Sequence, residues 1–481
     1  MSRRDHYPQV APCIDGRWRT DLPARHGVID PSTEEILAEL PLVDATGLDE
    51  ALDAADRAFR SWRRVPAIER SRILARAADL VVDREQAIAT ALVLEQGKTR
   101  AGALYEVRAA AESLRWHAEE ARRIYGRVIP ARVPGVRQFT LREPIGVVAA
   151  FTPWNFPALT PTRKLAAALA AGCTMVMKGA EESPATLVLI VRCLHDAGLP
   201  PGVFNLVFGV PHDVSAHLLA SPIVKKMSIT GSTEIGKQLG RLAMDRLIKP
   251  TMELGGHAPV IVFDDVDPVA VADQLAPKKL LSSGQNCISP TRLFVQRPVY
   301  DALVARLAEW TARVRVGDPF DAEVDMGPVS NQRRLEAVQR LVRESVAAGA
   351  VLAAGGERLA RRGFFHAMTL LADVPDGAPA MHEEPFGPLL LATPFDRDEE
   401  AIERANALPY GLAGYAFTRS DRRALMVSEE LEVGMLGINH LQVASAEAPF
   451  GGVKESGIGR ENGVEGLDPY LQTKFVSQMA V

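Results

Sequence analysis

Gly146-Val147-Val148-Ala149-Ala150-Phe151 runs into Thr152-Pro153-Trp154-Asn155-Phe156-Pro157, and after an alanine-rich stretch comes Thr174-Met175-Val176-Met177-Lys178. Two short apolar runs flank a helical pattern over 162–171, which reads as strand, crossover helix and parallel strand. Working outward, the alternation continues with a helix over 184–197, a strand over 204–208, a helix through 216–219, a strand over 226–230 and a helix from Thr233. This order predicts an α/β fold with a parallel sheet covered by helices on both faces. Such sheets bind ligands beyond the carboxyl ends of their strands. Trp154-Asn155, Lys178 and Gly231-Ser232 all fall at those ends and point to one crevice. Ser232 or Thr233 can cap the helix that follows, whose free N–H groups attract a pyrophosphate.

A second α/β unit is expected from Val266 to about Asn439, and it contains Lys279-Leu280-Leu281-Ser282-Ser283-Gly284-Gln285-Asn286-Cys287-Ile288-Ser289. Cys287 sits in a small polar turn behind an apolar, helix-like run. Gly284 allows close backbone approach to whatever the thiol attacks, and Gln285 and Asn286 add polar groups. Two readings stand for Cys287: an inert core residue, or a reactive thiol in a partly open setting that favours thiolate. Thr251-Met252-Glu253-Leu254-Gly255-Gly256-His257 places a lone carboxylate between apolar neighbours. Burial opposes its charge, so Glu253 is either an exposed strand-end group or a used one.

The chain has 481 residues, too many for one core, so two or three domains are expected. Lys plus Arg number 55 and Asp plus Glu 60, a net charge of −5, which argues against nucleic acid or an acidic membrane as partner. No run is long enough to span a bilayer and no apolar leader is evident at the start, so a cytoplasmic enzyme is expected. Cys13, Cys173, Cys193 and Cys287 lack the spacing of a disulfide frame or a metal site. Cys173 and Cys193 read as core, and Cys13, near a mobile terminus, is uninformative.

Residues 1–42 read as short strands and turns. From 47 to 120 the pattern is helical, clearest over 51–59, 68–84 and 87–96, and reads as cover without chemistry. Residues 124–141 read as a hairpin, and 470–481 as a strand-like tail. Neither can hold a core, so both are expected to pair with another subunit's sheet edge. The arginine pairs Arg3-Arg4, Arg122-Arg123 and Arg361-Arg362 read as solvated surface.

Taken together, the motifs at 152–157, 178–181, 230–236, 253–256, 284–287, 384–388 and 449–457 resemble, in order and spacing, the NAD(P)-dependent aldehyde dehydrogenase superfamily. The resemblance runs from about Gly16 nearly to the last residue. Gly179 and His257 depart from the family's usual residues, at positions without chemistry. The resemblance implies a Rossmann-type cofactor domain (1–123 and 143–254, with a return segment near 446–466), a catalytic domain (255–445), and an oligomerisation arm (124–142 and 467–481) of a homodimer or homotetramer.

It further implies Cys287 as nucleophile, Glu253 as the base that activates water, and Asn155 as oxyanion donor. Glu253 argues for a free acid as product, because relatives that pass the acyl group to coenzyme A typically lack it. Thr152, Pro153, Trp154, Lys178, Glu181, Gly209, Gly231, Ser232, Leu254, Glu384 and Phe386 are the implied cofactor contacts. Lys178 and Glu181 would hold the adenosine ribose, with NAD preferred over NADP because Glu181 repels a 2′-phosphate. Ser289 stands where a second cysteine is common.

For the substrate, the closest likeness is to the succinate-semialdehyde and 2-oxoglutarate-semialdehyde branch, with Arg163, Phe156, Leu281, Ile288, Ala444 and Ser445 as implied contacts. Arg163 matches one carboxylate-binding arginine of that branch, or could be surface. Leu281 stands in place of the second, and Ala444 (with Ser445 adjacent) in place of its serine. Losing a bidentate arginine weakens carboxylate binding. A semialdehyde acid therefore ranks first, and a longer aliphatic or aromatic aldehyde second. The rival readings are a thiol hydrolase or acyltransferase without nucleotide, and a catalytically silent homologue.

Overall fold

The computed structural model describes residues 3–479. Its larger sheet has eight strands, and the five central ones are Phe204–Val207, Thr174–Lys178, Val147–Phe151, Val224–Thr230 and Lys249–Glu253, all parallel in that spatial order. The register sets Phe151 opposite both Lys178 and Ile229, Lys178 opposite Val207, and Thr230 opposite Glu253. The five carboxyl ends therefore form one edge. Alternate residues feed two cores: Val148, Ala150, Met175 and Met177 on one face, Val147, Ala149, Phe151 and Val176 on the other. Burial on both faces is why these strands read as unbroken apolar runs.

The second sheet has seven strands in the order Val351–Ala354, Thr369–Ala372, Leu389–Phe395, Arg292–Gln296, Pro259–Val262, Ala413–Phe417 and Met435–Ile438, antiparallel only at the first pair. Cys287 and Glu384 each lie five residues before a strand of this sheet, Arg292–Gln296 and Leu389–Phe395. The site thus lies between the carboxyl ends of one sheet and the amino ends of the other. Only the first half of that arrangement is expected from the general rule for open sheets.

Helices cover the first sheet at Ala45–Trp62, Ala67–Asp83, Glu85–Gln96 and Arg100–Glu120. The first starts ahead of its apolar pattern because Asp44 caps it, accepting from the Gly47 N–H at 3.0 Å. The crossover helix Leu159–Ala171 also begins earlier than the sequence suggests.

Two expectations need correction. Cys13, expected near a mobile end, is fully buried in the strand Cys13–Ile14, paired with Phe204–Val207. Arg3 is partly buried, bridging Asp30 at 2.8 Å and Asp318, because the first turn folds back onto the body. The tail Leu471–Met479 pairs along its whole length with Val136–Pro144 of its own chain, in a three-stranded sheet completed by Val128–Ile129. No helix among the described residues is long and apolar enough to cross a membrane.

Candidate active site

The strand ends and the turn before Arg292–Gln296 enclose a cavity of about 820 Å³. It is lined by Pro153, Trp154, Asn155 and Phe156 from the first sheet's edge, with Gly231, Ser232 and Leu254 beside them. Cys287, Ile288, Leu281, Glu384 and Phe386 line it from the other unit, and Ala444 and Ser445 from the late loop. Arg163 lines it from the crossover helix, with only 8% of its surface exposed, so it is not a surface residue.

Cys287 follows an unusual turn. Ser282, Ser283 and Gly284 are all left-handed, with φ of 54°, 53° and 72°. Hydrogen bonds hold the two serines there: Gln96 Nε2 donates to Ser282 Oγ at 2.9 Å, and Ser283 Oγ donates to the carbonyls of Gly327 and Pro328. Gly284 serves packing: a Cβ there would lie 2.1 Å from the Gly387 oxygen. Its freedom admits protein backbone, where the sequence suggested a reacting group. Gln285 is likewise structural, tied to the Ser282 carbonyl and the Ser330 N–H, both at 2.9 Å.

The Cys287 thiol faces the cavity but is surrounded by protein. Burial, then the nearby Glu384 and Glu253 carboxyls, push it up to about 12 against the pull of Arg163. The resting group is the thiol, so the setting does not by itself favour thiolate. Asn155 Nδ2 donates to the Gln285 carbonyl at 3.1 Å, bringing the two walls together and leaving its second N–H for another acceptor.

Glu253 ends its strand 2% exposed, and neither carboxyl oxygen has a partner among the described residues. Desolvation, followed by the charge of Glu461, raises it well above the usual carboxylate range, while Lys164, Arg163 and Arg460 pull the other way. A carboxyl kept neutral, or ionised only on demand, is suited to moving a proton.

The remaining candidates form a second group at the strand ends. Lys178 Nζ lies 2.6 Å from Glu181 Oε2, and Glu181 Oε1 accepts from the Gly209 N–H at 3.0 Å. Thr152 is joined to this group through the Lys178 carbonyl. Trp154 and Phe386 meet edge to face at 5.6 Å. Ser232 caps the helix Thr233–Met244, its Oγ accepting from the Ile235 N–H.

The aldehyde dehydrogenase family profile matches residues 18–476. The chain belongs to the aldehyde dehydrogenase family. It is 49% identical to 4-(hydroxymethyl)benzenesulfonate dehydrogenase of Comamonas testosteroni, over 97% of this chain and 98% of that one. It is 40% identical to glutarate-semialdehyde dehydrogenase of Pseudomonas aeruginosa, over 96% of each. The crystal structure of succinate-semialdehyde dehydrogenase from Burkholderia pseudomallei superimposes with a TM-score of 0.96 at 39% identity, covering 98% of each chain. The protein is thus an oxidoreductase of small-molecule aldehydes, from a family that uses NAD(P).

The cavity fits a nicotinamide dinucleotide. On its wall Thr230 Oγ1 is a buried hydroxyl oxygen without a partner among the described residues. A Cβ at Gly236 would strike Leu254 at 2.3 Å, so glycine lets the capped helix close onto the strand end. Glu384 enters the same space, raised to about 8 by burial, with the Gly256 N–H, Arg334 and Lys279 opposing.

Several residues of this aldehyde dehydrogenase site carry no signal in its sequence. Glu461 lines the cavity and pairs with the buried Lys164, yet reads as one carboxylate in a glycine-rich return segment. Tyr105 and Phe450 are ordinary aromatics until the fold brings residues hundreds apart together.

Proposed function

We propose that this aldehyde dehydrogenase oxidises an aldehyde whose far end carries a negative charge, releasing the free acid. The observation that carries this reading is Arg163. Its Nε is buried without a partner among the described residues, and its guanidinium lies 4.1 Å from the Phe450 ring centroid. It makes no ion pair among the described residues; burial lowers its pKa, and the charge of Glu461 opposes that. A buried, unpaired guanidinium is costly, and an anionic substrate group relieves the cost.

In the proposed chemistry Cys287 adds to the carbonyl carbon. The free N–H of Asn155 and the Cys287 backbone N–H stabilise the oxyanion, one such donor being worth roughly 3–4 kcal/mol. Bound dinucleotide supplies the hydride acceptor. The oxidised adduct is a Cys287 thioester, and Glu253 takes the proton of the water that hydrolyses it. The thiol must lose its proton to react.

Two observations support an aryl spacer ahead of a short aliphatic one. Leu281, Phe156, Ile288 and Phe450 give the space before Arg163 apolar and aromatic walls, and the 49%-identical relative is named for a benzenesulfonate. This reverses the order drawn from the sequence. The semialdehyde acids stand second, supported by the glutarate-semialdehyde relative.

Kinetic profiling tests the reading with 4-formylbenzenesulfonate, 4-formylbenzoate, benzaldehyde, hexanal, succinate semialdehyde and 2-oxoglutarate semialdehyde. The para-anionic aryl aldehydes are expected to exceed benzaldehyde by more than about tenfold in kcat/KM, a gap of roughly 1.4 kcal/mol. Arg163→Met should remove that gap. Neutral aldehydes winning by the same margin would overturn the anionic assignment.

NAD is proposed as the preferred dinucleotide, because Glu181 neutralises Lys178 and a carboxylate beside the adenosine ribose would repel a 2′-phosphate. Like charges brought together cost several kcal/mol. Glu181→Gln is expected to raise kcat/KM for NADP by at least about tenfold relative to NAD. An unchanged ratio would mean that Glu181 does not face the ribose.

The three-stranded sheet, with Phe475 and Met479 exposed on its edge strand, is proposed as the oligomerisation arm. A cytoplasmic setting accords with four free cysteines.

A further inference from the structure

The helices Glu85–Gln96 and Arg100–Glu120 read as cover, yet the short turn between them reaches the centre of the molecule. Gly97 turns the chain with φ of +81°, and a Cβ there would lie 2.7 Å from Pro328, so the turn is pressed against the second unit. On one side of Gly97, Gln96 donates to Ser282 Oγ in the left-handed turn ahead of Cys287. On the other side, Lys98 Nζ donates to the Asn155 carbonyl at 2.7 Å and pairs with Glu106. The same ammonium lies 3.6 Å from the Phe156 ring centroid. Glu106 Oε1 accepts from the N–H groups of Ala158 at 2.8 Å and Leu159 at 3.2 Å.

The Lys98 and Glu106 side chains have no exposed surface. A buried ion pair adds little stability over apolar residues of the same volume. Stability alone therefore does not account for this one, whereas its contacts do. Among the described residues, the pair's other hydrogen bonds and its ring contact fall on residues 155–159, the segment that carries Asn155. Glu106 also supplies the cap that the side chain of Ala158 cannot give to the crossover helix bearing Arg163.

We propose that Gln96, Lys98 and Glu106 form a clasp that sets the separation between the Asn155 amide and the Cys287 turn, and so act as positioning residues for the oxyanion. Lys98 and Glu106 fix the backbone on which the amide is mounted. Gln96 fixes the turn on which the thiol is mounted. Both grips come from one glycine-hinged corner, so the two walls are referenced to a single point. This rests on the oxyanion role proposed above for Asn155.

A double-mutant cycle on the acylation burst tests it, because two residues acting through one interaction lose additivity. Lys98→Met, which keeps the apolar stem, is expected to slow the burst by about 10- to 100-fold, since small misplacement of a reacting group costs that order. KM for the aldehyde and the Kd for NAD should change by less than about threefold. In an Asn155→Ala background the same substitution should slow the burst by less than about threefold, the residual expected once the shared interaction is gone. Gln96→Ala, which leaves no buried charge unpaired, should show the same non-additivity and decides the matter if Lys98→Met does not fold. Losses that multiply in the Asn155→Ala background, or a parent-like burst in both Lys98→Met and Gln96→Ala, overturn the clasp. A parent-like burst in Asn155→Ala alone instead overturns the oxyanion role on which the clasp rests.

Discussion

Cys287→Ala is expected to lower kcat for aldehyde oxidation by at least about 10⁴-fold, the order of loss when a covalent nucleophile is removed. Fold and NAD affinity should be retained, because the side chain is small and only its sulfur is lost. In the parent, burial and two carboxyls hold the thiol up to about 12. The thiolate fraction therefore grows about tenfold per pH unit below that value. Alkylation of Cys287 by iodoacetamide in the absence of NAD should rise steadily from pH 7 to 9 without a plateau. More than trace oxidation by the alanine variant, in the presence of NAD, would show that another group attacks the carbonyl.

The second large effect belongs to Glu253. Glu253→Gln should release about one NADH per active site and then stall, with steady-state turnover lower by roughly 10²- to 10⁴-fold, the range for loss of a general base. Only the hydrolysis of the thioester needs a proton acceptor at that point. If Glu253 also receives the thiol proton, the burst itself slows as well, and the two roles separate by time scale.

The same substitution should stabilise the protein at pH 7. A carboxyl whose folded pKa lies above its unfolded one favours folding fully below the unfolded value, and that contribution is lost as pH rises through the folded value. Glutamine carries no such penalty. A melting midpoint for Glu253→Gln above that of the parent at pH 7, narrowing toward pH 5, is the expected signature. Parent-like turnover in this variant would remove Glu253 from the mechanism.

What was legible in the sequence was whatever local chemistry repeats. The runs over 146–151 and 174–178 specify strands because apolar residues without alternation suit burial on both faces. Ser232 ahead of a helix specifies a cap, and Glu253 and Cys287 stand out because each is polar or reactive beside apolar neighbours. Family resemblance rests on the same short motifs, so fold and reaction class follow from the linear order alone.

The rest depends on which segments meet. Lys98 and Glu106 look like ordinary surface charges on a helical pattern, since periodicity distinguishes faces but not what a face packs against. Arg163 reads equally as surface or as anion anchor until the crossover helix is placed against Phe450. Gly284 and Gln285 belong to the nucleophile's motif by sequence, but they serve backbone packing, because Gly387 and Ser330 approach from more than forty residues away. The protonation of Cys287 and Glu253 is likewise decided by the fold. Desolvation is a property of everything packed around a group, and no stretch of neighbouring residues encodes it.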